Sequence, residues 1–166
     1  MSEDLLAPTK VKTDSNDPEQ NPNDFEVRRR SHSEGFVKEL LLLGNENGLR
    51  SITMAHNLKY GMTRTTLNFS GADRDEVFWN AASTRTYLGS HTDEKPEPEM
   101  YKEGGEIKIF YRYDDTDPKE ILAGLRSMKA ITGSQYEAGM GLAEELSDPA
   151  NQQNLDNTPS GLEIKP

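Results

Sequence analysis

Glu106 and Lys108, two residues apart on a strand-like run with Asp93 upstream, come nearest in type and spacing to a catalytic group. In metal-dependent nucleases two acids bind Mg²⁺ and a lysine helps orient the attacking water. Here Asp93 falls in a polar, proline-containing stretch, and an acid and a lysine on a strand's solvent face pair without a metal. Asp114, Asp115 and Asp117 form a second acidic group, since closely spaced carboxylates suit Ca²⁺ or Mg²⁺. Their spacing does not fit an EF-hand loop, because Pro118 and Lys119 stand where such a loop needs ligands and glycine. Turn formation and helix capping account for them better. These five residues, Glu106, Lys108, Asp114, Asp115 and Asp117, define a metal-dependent hydrolase reading that ranks third of three.

The three histidines, His32, His56 and His91, lie far apart and share no ligand spacing. His56 occupies an otherwise apolar strand face, where a histidine with one satisfied hydrogen bond is the expectation. Serine-nucleophile motifs, a Gly-x-x-x-x-Gly-Lys phosphate loop and a Gly-x-Gly-x-x-Gly after a strand are all missing. Gly139-Met140-Gly141 sits inside a helical pattern, where small residues permit close packing. No catalytic residue, metal site or cofactor is therefore assigned.

Contact residues are easier to name. Arg28-Arg29-Arg30, followed by Ser31-His32-Ser33, is the chain's one basic run. A second group comes from a predicted hairpin, whose outward face carries Ser51, Thr53, Ala55, Asn57 and Lys59, with Arg50 and Arg64 beside it. That face is small, polar and mildly basic, and a hairpin strand at a sheet edge can pair with a partner's strand. Arg28, Arg29, Arg30, Arg50, Thr53, Asn57, Lys59 and Arg64 are the partner-binding candidates.

Composition limits what they can meet. The chain of 166 residues carries 19 Lys and Arg against 29 Asp and Glu, a formal charge of −10. That field disfavours phosphate backbones and anionic lipid and favours a basic or neutral protein partner. Residues 35–72 are the exception, with Lys38, Arg50, Lys59 and Arg64 against Glu39 and Glu46. Without cysteine there is no disulfide framework and no thiolate chemistry, which is compatible with a reducing compartment. The first residues hold acids where a signal peptide needs bases, and no apolar run approaches a membrane span, so a cytoplasmic protein, of a cell or an infected host, is expected.

The elements that must position these residues follow from periodicity. Only 33% of the chain is hydrophobic and the mean hydropathy is −0.85, so the core is small. Residues 1–24 and 148–166 hold too few apolar side chains to offset the entropy of ordering them and read as flexible tails around one domain, 25–147. Within it, Ser31 and Glu34 at capping spacing ahead of Phe36, Val37, Leu40 and Leu41 predict a helix over about 33–43. Alternation predicts strands over 51–60 and 63–69 as a hairpin, and over 106–113. Capping signals at Asp73 and Asp117-Pro118, and at Ser134, predict helices from about 74, 118 and 134. The 90–105 segment reads as a surface loop. The expected fold is α+β, a small, mainly antiparallel three-stranded sheet against helices in the order α-β-β-α-β-α-α.

The leading functional expectation is a non-catalytic protein that acts by protein–protein contact as an adaptor, inhibitor or assembly component, of the accessory or virion type found in phage and viruses. The alternative is a nucleic-acid-associated protein, either an acidic mimic of DNA or a weak binder using Arg28 to Arg30, Lys59 and Arg64.

Overall fold

The computed structural model describes residues 24–147. Four strands come first: β1 (Phe25–His32), β2 (Gly35–Leu42), β3 (Leu49–Asn57) and β4 (Met62–Gly71). Helix α1 (Arg74–Thr92) precedes β5 (Glu99–Glu103) and β6 (Glu106–Tyr113), and the helices α2 (Pro118–Ser127) and α3 (Gly133–Ser147) complete the chain. All six strands form one sheet in the order β1-β2-β3-β4-β6-β5, and every neighbouring pair is antiparallel.

This overturns the three-stranded expectation: the observed order is β-β-β-β-α-β-β-α-α. The predicted helix over 33–43 is strand β2, and its apparent capping box is divided, with Ser31 paired in β1 and Glu34 in the turn of the β1–β2 hairpin. In β2 the residues Phe36, Lys38, Leu40 and Leu42 point to the core, a strict alternation hidden by the charge on Lys38 and by apolar Val37 and Leu41 on the other face. The 90–105 segment also contributes a strand, β5, whose five residues are all exposed. Apart from Asp24, both predicted tails lie outside the described residues.

The helices begin where short-range chemistry places them. Asp73 accepts a hydrogen bond from the Glu76 amide at 3.2 Å and caps α1, while Asp117 accepts from the Lys119 amide at 2.9 Å with Pro118 at the first helical position of α2. All three helices cover one face of the sheet: α1 lies over β4 and β6, α3 lies over β1 and β2, and α2 bridges the other two helices. Glycines set the depth of that nesting. A Cβ on Gly124 would come within 2.5 Å of Leu88, and one on Gly139 within 2.7 Å of Leu122. Beneath them Leu40, Ile52, Leu67 and Tyr111 form one cross-strand row of the core.

A polar clamp closes one end of this core. Gln135, fully buried, donates from Nε2 to the Asp24 carbonyl (2.7 Å) and to Asn45 Oδ1 (2.8 Å). Its Oε1 accepts from Asn45 Nδ2 (3.1 Å) and the Thr132 amide (3.0 Å), and the Thr132 hydroxyl donates to Asp24 Oδ2 at 2.7 Å. The start of β1, the β2–β3 turn and the α2–α3 connection are thereby tied together. Gln135→Leu strands several buried donors and acceptors and is expected to lower unfolding free energy by about 3 kcal/mol, read by urea denaturation.

Asp24 gives the clamp a pH signature. Burial, opposed by its hydrogen bonds, raises its carboxyl pKa above the ordinary value. The folded state therefore holds this proton more tightly, so its contribution is present at low pH and is lost as pH rises from the usual carboxylate range through the raised value. Asp24→Asn is expected to remove that decline, read as urea denaturation of wild type and variant at pH values below and above the usual carboxylate range.

Candidate functional site

The partner-binding candidates divide by the strands that carry them. Because side chains alternate between faces, residues whose neighbours point to the helices point the other way, and the register aligns them in rows on the uncovered face. One row runs Arg28, Glu39, Thr53, Thr66, Arg112, and a second runs Arg30, Val37, Ala55, Arg64. A third runs Glu26, Leu41, Ser51, Asn68, Phe110, Glu99. The structure thus brings together Arg28, Arg30, Thr53, Asn57 and Arg64 on one surface, which no helix of the described residues covers. Val37, Leu41, Ala55 and Phe110 are half-buried across it.

Several candidates already have work within the fold. Arg64 donates to Asp114 at 2.6 Å, a pair that raises the pKa of its guanidinium. Arg50 donates to the carbonyls of Ser70 and Asn45, both at 3.1 Å. Asn57 accepts from the Tyr60 amide at 3.0 Å and shapes the β3–β4 turn, where the Lys59 ammonium lies 5.4 Å from the Tyr60 ring. Arg29 points to the helical face and is held by Glu145 at 2.8 and 2.9 Å. Arg28 and Arg30 differ, since neither has a carboxylate partner among the described residues. The hairpin that was expected to offer an edge lies inside the sheet between β2 and β6; the edges are β1 and β5.

Sequence reasoning missed Val37, Leu41, Phe110 and Tyr101 on this surface. Val37 and Leu41 fall within the helix predicted over 33–43, and Tyr101 within the loop predicted over 90–105. Tyr101 meets Phe110 edge to face, with ring centroids 5.3 Å apart. The signal available was the alternation of Glu99, Tyr101 and Glu103 opposite a marked strand.

The hydrolase candidates are dispersed. Lys108 lies 3.5 Å from Glu103, Glu106 stands at the β5–β6 turn, and Asp93 ends α1 with a positive φ of 62°. Asp114 pairs with Arg64, Asp117 caps α2, and the backbone amides of Asp114 and Asp115 donate to the Glu94 carboxylate at 2.9 and 3.2 Å. Glu94 also accepts from the Thr116 hydroxyl at 2.6 Å, so the loop folds around an acid. Among the described residues no group of three His, Asp or Glu is placed to hold a metal ion.

A cleft of about 560 Å³ opens between the β3–β4 turn, this acidic loop and the end of α3. On its wall His56 shares a 2.8 Å hydrogen bond with Thr63 and stacks on Phe36, and burial lowers its pKa, so it is a neutral, packed imidazole at pH 7. Deeper in, the Thr65 and Tyr113 hydroxyls are enclosed without a partner among the described residues, and burial first, then Tyr111 and Glu94, raises the pKa of the Tyr113 phenol. Both residues are fully buried and out of reach of a substrate in solution.

No helix of the described residues is long and apolar enough to cross a membrane. Compared with models of protein families, with curated proteins and with solved structures, the chain finds no match in any of the three.

Proposed function

We propose that this chain is a non-catalytic protein that works by protein–protein contact, as an adaptor, inhibitor or assembly component, and that the uncovered face of its sheet is the contact surface. The carrying observation is the one-sided placement of the helices. Among the described residues no helix packs over the outward side chains of the six strands, which set small and apolar residues at the centre and Arg28 and Arg30, without an ion-pair partner there, on one flank. A surface with the small side chains of Thr53, Ala55 and Thr66 at its middle suits another protein surface better than a small molecule.

The preferred partner is basic or neutral as a whole and presents a neutral or acidic patch to Arg28 and Arg30. Net charge governs approach from beyond a Debye length of about 8 Å, whereas Arg28 and Arg30 act at contact. A nucleic-acid reading has one observation in its favour, the exposed Tyr101 beside Phe110 with Lys108 and Arg112 nearby, a combination on which bases can stack. It is weakened by Glu103 beside Lys108 and by Glu99, 2.6 Å from Arg112, which place carboxylates where phosphates would have to pass.

The test is capture from the native lysate, with and without nuclease, using wild type and an Ala55→Glu/Thr53→Arg protein. A stoichiometric protein that survives nuclease and is lost from the double variant, but is kept by a Trp79→Ala control, is the expected result. Trp79 is the control because it is 73% exposed on α1, away from the sheet face. Capture unchanged by the double variant, or dependent on nucleic acid, overturns the reading.

A further inference from the structure

Both edges of the sheet pair with no further strand among the described residues, and they carry opposite charge. The β1 edge holds Arg28, Arg29 and Arg30 against the single acid Glu26. The β5 edge holds Glu99 and Glu103 against the single base Lys102, with all five of its residues exposed. An open strand edge is a template for another strand, and proteins guard it with edge charges, shortness, a bulge, a proline or a covering loop; here the guards are charge and, at β5, a length of five residues, and charge repels only a like edge. Neither β1 nor β5 contains a proline, and the one register irregularity of the sheet lies between β3 and β4.

We propose that the two edges are complementary halves of one interface, through which β5 of one copy of this chain adds to β1 of a second copy. Three observations select this pairing over its alternatives. The first is parity: in a six-stranded, wholly antiparallel sheet the first and last strands run in opposite directions. A second copy placed alongside in the same orientation therefore sets its β5 antiparallel to β1, with its helices on the same side.

The second observation is charge. A two-fold β1–β1 pairing sets the Arg28–Arg30 run against itself, and a two-fold β5–β5 pairing centred on Tyr101 sets Glu99 against Glu103. Like charges directly opposite one another are destabilising in a ladder, and only the β1–β5 pairing brings unlike charges together.

The third is register. Setting Arg28 opposite Glu103 keeps outward residues opposite outward residues, and it brings Arg30 to the Tyr101 ring and His32 to Glu99. On the helical side Arg29 then faces Lys102, with its charge already met by Glu145. Glu99 and Glu103 keep exposed partners in Arg112 and Lys108, and their outer lone pairs remain free to accept from the neighbouring copy.

The interface is heterologous, so it propagates into a ring or an open row instead of closing as a two-fold dimer. It uses the edges, while the proposed partner surface is the face, so the two readings fail separately.

Sedimentation of the full chain at increasing concentration is the test. The expected result is a weight-average mass that climbs above the 18.6 kDa of one chain at low salt and falls back as salt is raised to about 500 mM. Arg28→Glu/Arg30→Glu and Glu99→Lys/Glu103→Lys should each be monomeric alone. Mixed in equal amounts they should associate again and grow beyond the dimer, because the intact β1 meets the intact β5 and the two charge-reversed edges are complementary to each other.

The cysteine-free background supplies a second readout that leaves the other edge charges in place. A mixture of Arg28→Cys and Glu103→Cys proteins should cross-link under mild oxidation, while each alone should not. A wild-type chain that stays monomeric at about 100 μM in low salt overturns the proposal. So does cross-linking of Arg28→Cys with itself as efficient as in the mixture. Self-association retained by Ala55→Glu/Thr53→Arg keeps this interface distinct from the partner face.

Discussion

Glu145→Ala should lower the unfolding free energy at pH 7 by about 3 kcal/mol. Glu145 accepts from Arg29 on β1 and lies 3.1 Å from the ammonium of Lys38 on β2, so it ties α3 to both strands. The two cations are not equivalent. The Arg29 side chain is 53% exposed and its share of the pairing is screened by water, whereas the Lys38 side chain is 5% exposed and has its ammonium 5.4 Å from the centre of the Phe36 ring. Removing the carboxylate leaves the buried ammonium with no counter-charge, and that cost dominates. Replacing both partners, as Lys38→Met with Glu145→Leu, should recover most of the loss, since a packed apolar pair needs no compensation.

The same carboxylate sets an acid limit. The Arg29 hydrogen bond, then those of Lys38, outweigh burial and hold the Glu145 pKa down at about 2. A lowered carboxyl pKa stabilises the fold above the usual carboxylate range, and that stabilisation is lost as pH falls towards 2. Wild type and Glu145→Ala should therefore differ most in urea denaturation near neutrality and converge in acid. A constant difference across pH would mean that the carboxylate acts only by packing. Asp24 works in the opposite sense, since its raised pKa removes stability as pH increases.

Gly35→Ala should be comparably damaging, with a loss of about 3 kcal/mol and a melting temperature lower by roughly 10 °C. Alanine in a strand is ordinarily preferred to glycine by about 0.5 to 1 kcal/mol. At Gly35 the sign reverses, because the new Cβ would strike the backbone carbonyl of His56 in the neighbouring strand β3, which cannot swing aside as a side chain can. The next hydrogen bond along, from the Leu58 amide to the Glu34 carbonyl at 2.7 Å, would open with it. Gly139→Ala is the control: its Cβ meets only the ends of Leu122 and Leu40, which can give, so a smaller loss is expected. Thermal unfolding of the two variants side by side checks this, and equal melting temperatures would refute it.

Both variants bear on the proposed contact surface through β2, which carries Val37 and Leu41 on the open face and Phe36, Lys38 and Leu40 on the covered one. A contact face supported this way is only as flat as the pairing of β2 with β1 and β3. Loss of partner capture in Gly35→Ala would follow from lost geometry, so the face is tested at Thr53 and Ala55, whose side chains lie on its open side.

Local chemistry written in the chain determined a good deal. Asp73, Asp117 with Pro118, and the apolar spacing after each fixed the starts of α1 and α2, because capping is completed within one helical turn. Alternation fixed β3, β4 and β6, because one face of each meets the core and the other does not. The absence of cysteine and the dispersal of the histidines also excluded thiolate chemistry, a conclusion that needs no fold.

Tertiary structure alone decided the rest. β2 is a strand because Lys38 can be buried beside Glu145, more than a hundred residues later, and no local signal announces that partner. β5 exists because β6 offers it a ladder. The predicted hairpin is internal because β2 and β6 flank it, which removes its edge and moves the edges to β1 and β5. What gathers Arg28, Arg30, Thr53, Asn57 and Arg64 on one surface is the register of four strands. Register is set by long-range pairing and by which face the helices cover, and neither can be read from any one segment.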